Sequence, residues 1–265
     1  MKKMIFSIIA ILAGLYILIC IMLYFFQEKL IFFPQKLSND HKFHFNQSFE
    51  EIPIITADGI HLNSVLFKAD SSKGLIFYLH GNAGALDTWG EIAKTYTDLN
   101  YDLFMLDYRG YGKSEGVVNG QTDLFEDVQH GYNEIKARYN EESIIILGYS
   151  IGTGAAAKLA SANKPRMLIL QAPYYTFTDL VQRMYPFFPS FLLRYKFETA
   201  EYLKNCKAPV VIFHGDHDEV IYYGSSLKLE KQFKSTDKLI TLKGQGHNGI
   251  TENEQYTKHI KEILR

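Results

Sequence analysis

The residues best suited to covalent chemistry lie in Gly148-Tyr149-Ser150-Ile151-Gly152. The apolar run Ser-Ile-Ile-Ile-Leu precedes them, and the small-residue run Thr-Gly-Ala-Ala-Ala-Lys-Leu-Ala follows. A serine on a sharp turn between a strand and a helix is presented edge-on to a substrate. The flanking positions must then lack side chains, which Gly148 and Gly152 provide. The same bare pattern recurs at Gly112-Lys113-Ser114-Glu115-Gly116. Ser114, however, sits in a glycine-rich loop with no small-residue helix behind it, and the leading glycine of a phosphate loop would fall on Asp107. Ser150 is therefore the candidate nucleophile.

A serine hydroxyl needs a base within hydrogen-bond reach and a third group to orient that base. Of nine histidines, His247 lies in Gly244-Gln245-Gly246-His247-Asn248, a loop between the last apolar run and the final helical pattern. His130 and His259 fall in helical patterns, His41 and His44 precede the globular region, and His61 lies in a hairpin. For the acid, the run Val210–Phe213 leads into His214-Gly215-Asp216-His217-Asp218-Glu219-Val220. Asp218, just before an apolar pair, is favoured, and Asp216 and Glu219 are assigned to the turn and to solvent. A tetrahedral oxyanion requires preorganised donors. The Ile151 N–H is one candidate. The other is Asn82 N–H in His80-Gly81-Asn82-Ala83-Gly84, with Ala83 the neighbouring alternative and His80 as a brace. This chemistry calls for no metal and no cofactor.

These residues need a scaffold. Short apolar runs at Leu75–Leu79, Leu103–Leu106, Ile144–Leu147, Met167–Leu170, Val210–Phe213 and Leu239–Leu242 alternate with helix-length amphipathic stretches. This predicts an α/β fold with a mostly parallel sheet covered by helices on both faces. A hairpin is expected from Ile52–Thr56 and Ile60–Phe67 around Ala-Asp-Gly. The aromatic-rich stretch of about 174–204, broken by Pro186 and Pro189, interrupts the alternation as a small cap. Its aromatics either line an acyl site or pack the cap onto the body.

The chain has 265 residues, of which 47% are hydrophobic and 22% charged, enough for one well-filled domain. A net charge of −1 leaves no basic excess for nucleic acid. Cys20 and Cys206 are too few for a disulfide framework. Residues 4–26 carry neither charge nor proline. At ~1.5 Å per residue such a helix crosses a bilayer core, and it is longer than the apolar region of a cleaved signal peptide. Expected, then, are a transmembrane anchor at 1–26, a juxtamembrane connector at 27–50 and a catalytic domain at 51–265. The protein would be single-pass, with that domain on the non-cytoplasmic side, although Lys29, Lys36 and Lys42 leave the charge rule undecided.

Taken together, the apolar segment with Gln27-Glu28-Lys29-Leu30-Ile31-Phe32-Phe33-Pro34, the His80–Gly84 loop, Asp107-Tyr108-Arg109-Gly110-Tyr111-Gly112-Lys113-Ser114-Glu115-Gly116, the turn at Ser150 and the loops of Asp218 and His247 resemble the membrane-anchored branch of the α/β-hydrolase-domain proteins. That group includes protein depalmitoylases and lysolipid lipases, and its hydrolase domain is related to the serine aminopeptidase module. The resemblance implies the α/β-hydrolase fold and hydrolysis of ester or thioester bonds through an acyl-enzyme. The order Ser150, Asp218, His247 is the order such proteins use. A small-molecule or lipid-like acyl compound is the expected substrate. A peptidase, or a binding module with a vestigial triad, is the competing reading.

Overall fold

A computed structural model describes residues 1–265. Helix α1 (Lys2–Phe25) projects from the body, and the short α2 (Gln27–Ile31) follows it. The body is built on eight strands: β1 (Phe49–Ile55), β2 (His61–Phe67), β3 (Leu75–Leu79), β4 (Asp102–Leu106), β5 (Ile144–Tyr149), β6 (Met167–Gln171), β7 (Val210–Gly215) and β8 (Lys238–Leu242). They lie in the order β8-β7-β6-β5-β3-β4-β2-β1. From β4 to β8 every pairing is parallel, while β2 runs antiparallel to both β4 and β1. All six apolar runs are strands, several longer by a residue or two than expected. The extension of β7 to Gly215 puts His214 on a strand instead of in a loop.

Helices cover both faces. In chain order these are α3 (Leu86–Trp89), α4 (Ala93–Thr97), α5 (Gln121–Lys136), α6 (Gly152–Ala162), α7 (Phe177–Met184), α8 (Thr199–Asn205), α9 (Gly224–Glu230) and α10 (Glu254–Ile263). The central strands are buried throughout, and their side chains alternate between two cores. On β3, Leu75, Phe77 and Leu79 meet α5 and α6, whereas Ile76 and Tyr78 meet α4 and α10. Leu124, Val128, Tyr132 and Ile135 form the buried stripe of α5. The alanines of α6 let its axis approach the sheet.

Two boundaries differ from the sequence expectation. Residues 27–50 are packed on the body, with Gln27, Ile31, Phe32 and Phe43 buried. Phe33–Pro34 pairs in parallel with Ala83–Gly84, and the sheet begins at Phe49. The aromatic side chains in this segment and its backbone donors both find partners on the body, so it is a strap, not a free connector. At the other end of the cap, α8 buries Ala200 and Leu203 and packs on α6 as part of the body, so the inserted segment closes before Thr199.

Phe32 lies 5.3 Å edge-on from the Tyr195 ring. Phe32→Ala should cost ~3 kcal/mol of stability. In thermal unfolding of the detergent-solubilised chain this would appear as a fall of roughly 6–12 °C in midpoint for a domain of this size. An unchanged midpoint would mean that the strap is not part of the cooperative unit.

Candidate active site

The turn after β5 is tight. Ser150 has φ +54°, a left-handed conformation that costs a non-glycine residue of order 1–3 kcal/mol. The conformation is held by the Ser150 N–H donating to Gln171 O at 2.9 Å and by Thr153, whose Oγ1 and N–H donate to Ser150 O at 2.6 and 3.0 Å. A Cβ on Gly152 would lie 2.3 Å from Leu79 O, and one on Gly148 would lie 2.6 Å from Ala156 Cβ. Both glycines are thus forced by close approach, and the N-terminus of α6 is pressed against the end of β3.

Ser150, His247 and Asp218 converge. His247 Nε2 stands 2.9 Å from Ser150 Oγ, and His247 Nδ1 stands 2.7 Å from Asp218 Oδ2. All three are buried. The carboxylate fixes the tautomer: Nδ1 faces an acceptor and carries the proton, which leaves the Nε2 lone pair for the serine hydroxyl. Burial by itself would raise the Asp218 pKa. Hydrogen bonds from His214 and His247, the nearby imidazole and the Ile221 N–H outweigh it and hold the carboxyl well below the usual range. Its Oδ1 accepts from the N–H groups of Val220 and Ile221 at 2.9 and 2.7 Å.

His214 is a residue that sequence reasoning missed. Its Nε2 faces Ile221 O at 2.8 Å and Asp218 Oδ2 at 3.2 Å, both acceptors, so Nε2 bears the proton. Nδ1 lies 2.6 Å from Ser226 Oγ. Asp216 and Glu219 are exposed in the turn, as expected, but each also makes a contact that the sequence did not show. Asp216 Oδ1 accepts from Gly244 N–H at 2.7 Å, and Glu219 Oε2 accepts from His247 N–H at 3.2 Å. All three carboxylates therefore secure the His247 loop. Tyr149 adds a fourth hold, donating its hydroxyl to His247 O at 2.8 Å.

The His80–Gly84 loop is held equally closely. Tyr108 OH donates to His80 O at 2.9 Å, and Tyr111 OH donates to Asn82 O at 2.7 Å. Trp89 Nε1 donates to Ala83 O at 2.8 Å. With these carbonyls engaged, Asn82 N–H and Ile151 N–H make no hydrogen bond within the protein. His80 is fully buried, with Nδ1 2.7 Å from Gly81 O, and it stacks beside Trp89 and Tyr108, as expected of a brace. Asp107 accepts from Leu86 N–H, and its pKa is raised by burial against the opposing pull of His80. The signal for these tyrosines was the Asp107–Gly116 motif, whose types were legible but whose partners were not. Ser114 is buried in another role: its Oγ donates to Asp107 O and accepts from Asn63 N–H.

The family model described as serine aminopeptidase, S33, matches residues 70–201. Alpha/beta hydrolase domain-containing protein 17B of Xenopus laevis is 30% identical over 203 residues, covering 73% of this chain and 67% of that protein. The chain belongs to the α/β-hydrolase family. The human α/β-hydrolase-domain protein 17C is 29% identical over 205 residues, 74% of this chain but 59% of its own length. The chain thus spans about three fifths of the 17C relatives it matches. Among solved α/β-hydrolase structures, the Pyrococcus furiosus esterase Pf2001 superposes with a TM-score of 0.70 at 17% identity, covering 88% of this chain and 97% of that one. Est1E of Butyrivibrio proteoclasticus gives 0.65 at 19% identity, covering 81% and 97%. At these identities the likeness is one of fold.

Gly152→Ala should force the turn from β3 by roughly 1 Å, since the added Cβ would start 2.3 Å from Leu79 O and ordinary contact is about 3.5 Å. The expected outcome is a chain that keeps its helix and strand content by circular dichroism but has a lower unfolding midpoint. A variant as stable as the parent would show that the turn has slack.

Proposed function

We propose that the chain is a serine hydrolase of carboxylic ester or thioester bonds, working through Ser150, His247 and Asp218 and an acyl-enzyme. The observation that carries this reading is the continuous hydrogen-bonded path from Ser150 Oγ through both nitrogens of His247 to Asp218, starting from a serine in a strained turn. His247 Nε2 takes the hydroxyl proton as Ser150 Oγ attacks the acyl carbonyl. The oxyanion is held by the free N–H groups of Ile151 and Asn82. His247 then protonates the leaving alcohol or thiol, and water, activated by the same nitrogen, releases the acid. Asp218 remains ionised throughout and favours the imidazolium form.

A fatty-acyl or other membrane-proximal ester or thioester is the substrate class this reading favours. Its support is α1, whose 24 residues are long and apolar enough to cross a membrane and almost wholly unburied. On this reading the protein is single-pass, with residues 51–265 as the hydrolase domain on the non-cytoplasmic side, since a large C-terminal domain can translocate despite nearby lysines. The second reading, a peptidase, draws on the description of the matching family model, because the same triad chemistry cleaves amides.

A fluorophosphonate probe should label the intact chain, and Ser150→Ala should abolish labelling. No labelling of the parent, or labelling that survives Ser150→Ala, would overturn the proposal. Asp218→Asn should keep the fold and lower kcat by about four orders of magnitude, the size this exchange has in serine protease triads, because the histidine then presents the wrong tautomer. Steady-state rates on acyl esters of increasing chain length, set against aminoacyl amides, decide between the readings. A preference for the amides would favour the peptidase.

A further inference from the structure

The cap carries an exposed apolar tip that the hydrolytic mechanism does not use. Tyr174, Phe177, Tyr195 and Phe197 of the aromatic-rich stretch are buried and pack the cap onto the body, but Phe187 and Phe191 are 86% and 83% exposed, and Met184 and Tyr185 are exposed beside them. A contiguous patch of such side chains marks a surface with a partner. The ten residues 184–193 contain no charge, and Arg183 and Arg194 bracket them.

The tip lies alongside α1. Tyr16 OH donates to Phe187 O at 2.8 Å. Tyr16 is nine residues before Phe25, the last residue of α1. At ~1.5 Å per residue this places Phe187 beside a point roughly 13 Å along the helix from that end. The end itself has the marks of a headgroup level, with Tyr24, Phe25 and Phe26 followed by Lys29, and with Arg194 paired to Glu28 at 2.8 Å. Between α1 and the tip runs a groove of ≈ 370 Å³, walled by Tyr16, Cys20 and Tyr24 on one side and Pro189, Phe191 and Leu192 on the other. If α1 spans a bilayer, the tip is carried into the same leaflet.

The backbone of the tip is partly paired, with the N–H groups of Phe187, Ser190 and Phe191 left without an acceptor inside the protein. Non-helical chain in hydrocarbon must have few unpaired polar groups. Pro186 and Pro189 have no N–H to satisfy. The N–H groups of Tyr185, Phe188, Leu192 and Leu193 donate within the segment or to α7, and Phe187 O accepts from Tyr16. At the root, Gln27 Nε2 donates to Leu192 O at 2.9 Å and Gln27 Oε1 accepts from Arg194 N–H at 2.9 Å, locking cap to anchor.

We infer that residues 184–193 form a membrane-inserted element that enters the leaflet beside α1, with lipid acyl chains filling the groove between them. The inference rests on the reading of α1 as a membrane span. It gives the cap a lipid surface as its partner and orients the hydrolase domain with its cap against the membrane.

The test uses the full chain reconstituted in phosphatidylcholine vesicles. Single cysteines at Phe187, Phe191, Leu18 and Asp70 are introduced in a Cys20→Ala background and labelled with an environment-sensitive fluorophore. Cys206 is buried and stays unlabelled. Phe187, Phe191, Leu18 and Asp70 are all exposed, so none of the exchanges opens a core cavity. Lipids carrying a quencher on the acyl chain should quench the probes at 187 and 191 as they quench the probe at 18, with the probe at 70 unaffected. Quenching at 18 but not at 187 and 191 overturns the inference and leaves the anchor standing. Absence of quenching at 18 overturns the anchor, and the inference with it unless 187 and 191 are quenched by themselves. A blue-shifted but unquenched probe at 187 or 191 would mean that protein, such as a second copy of the chain, covers the tip, and would also overturn it.

Discussion

The site depends on one close apposition: the first turn of α6 against the end of β3. Because a Cβ at position 152 would fall 2.3 Å from Leu79 O, the backbone of the Ser150 turn and the start of the His80–Gly84 loop are placed by the same contact. The serine and the candidate oxyanion donors therefore share one rigid reference. That reference is the middle of the sheet, where β3 and β5 are neighbours and fully buried. In a parallel sheet the carboxyl ends of successive strands open on one edge, so β7 and β8 deliver the loops of Asp218 and His247 to that edge as well. The strained φ of Ser150 persists because Gln171, on β6, and Thr153, on α6, hold the turn from both sides.

Around this reference the polar groups are arranged so that burial does not neutralise Asp218. A buried carboxylate without partners would protonate. Asp218 instead receives two backbone N–H groups and two imidazoles, one of which, His214, is itself kept in a single tautomer by the carbonyl of Ile221. The consequence reaches His247. Its Nδ1 meets a carboxylate whose pKa is held low, and its backbone is fixed by Glu219 and Tyr149. The loop carrying His247 is glycine-rich, yet in the folded chain it is restrained at Gly244, at the amide and carbonyl of His247, and at its ring. Flexibility in sequence has here become freedom to adopt one conformation, not freedom to move.

What was legible in the sequence follows from this division. Strand runs buried on both faces announce themselves by composition, and the glycines flanking Ser150 are legible because steric exclusion leaves no other residue type. Asp218 could be chosen from among Asp216, Asp218 and Glu219 only by the common arrangement of this loop, which puts the acid a few residues past His-Gly and just before an apolar pair. That spacing works for a physical reason, since the following backbone N–H groups fold back onto Oδ1. The roles of Asp216, Glu219, Tyr108 and Tyr111 were not legible, because each acts on a backbone group of a distant segment and backbone groups leave no trace in sequence; His214 was not legible because its contact with Asp218 depends on how the loop after β7 folds back. The strap at residues 27–50 was hidden for a related reason. Its pairing of Phe33–Pro34 with Ala83–Gly84 is too short to show a period.

The strap also changes how α1 is joined to the body. A flexible linker would let the domain tumble at the end of its helix. Here Gln27, Glu28, Ile31 and Phe32 follow α1 almost at once, and all four make specific contacts with the cap or the body. Phe33 then pairs with the loop that holds Asn82, and Asn82 Nδ2 donates to Ile31 O at 3.1 Å. Only seven residues separate the end of α1 from that pairing, so the helix joins the cap and the loop of Asn82 with little intervening chain. Helix and site are thus linked by a short, bonded segment. For a helix that crosses a bilayer, such a junction would couple the orientation of the Ser150 edge to that of the helix.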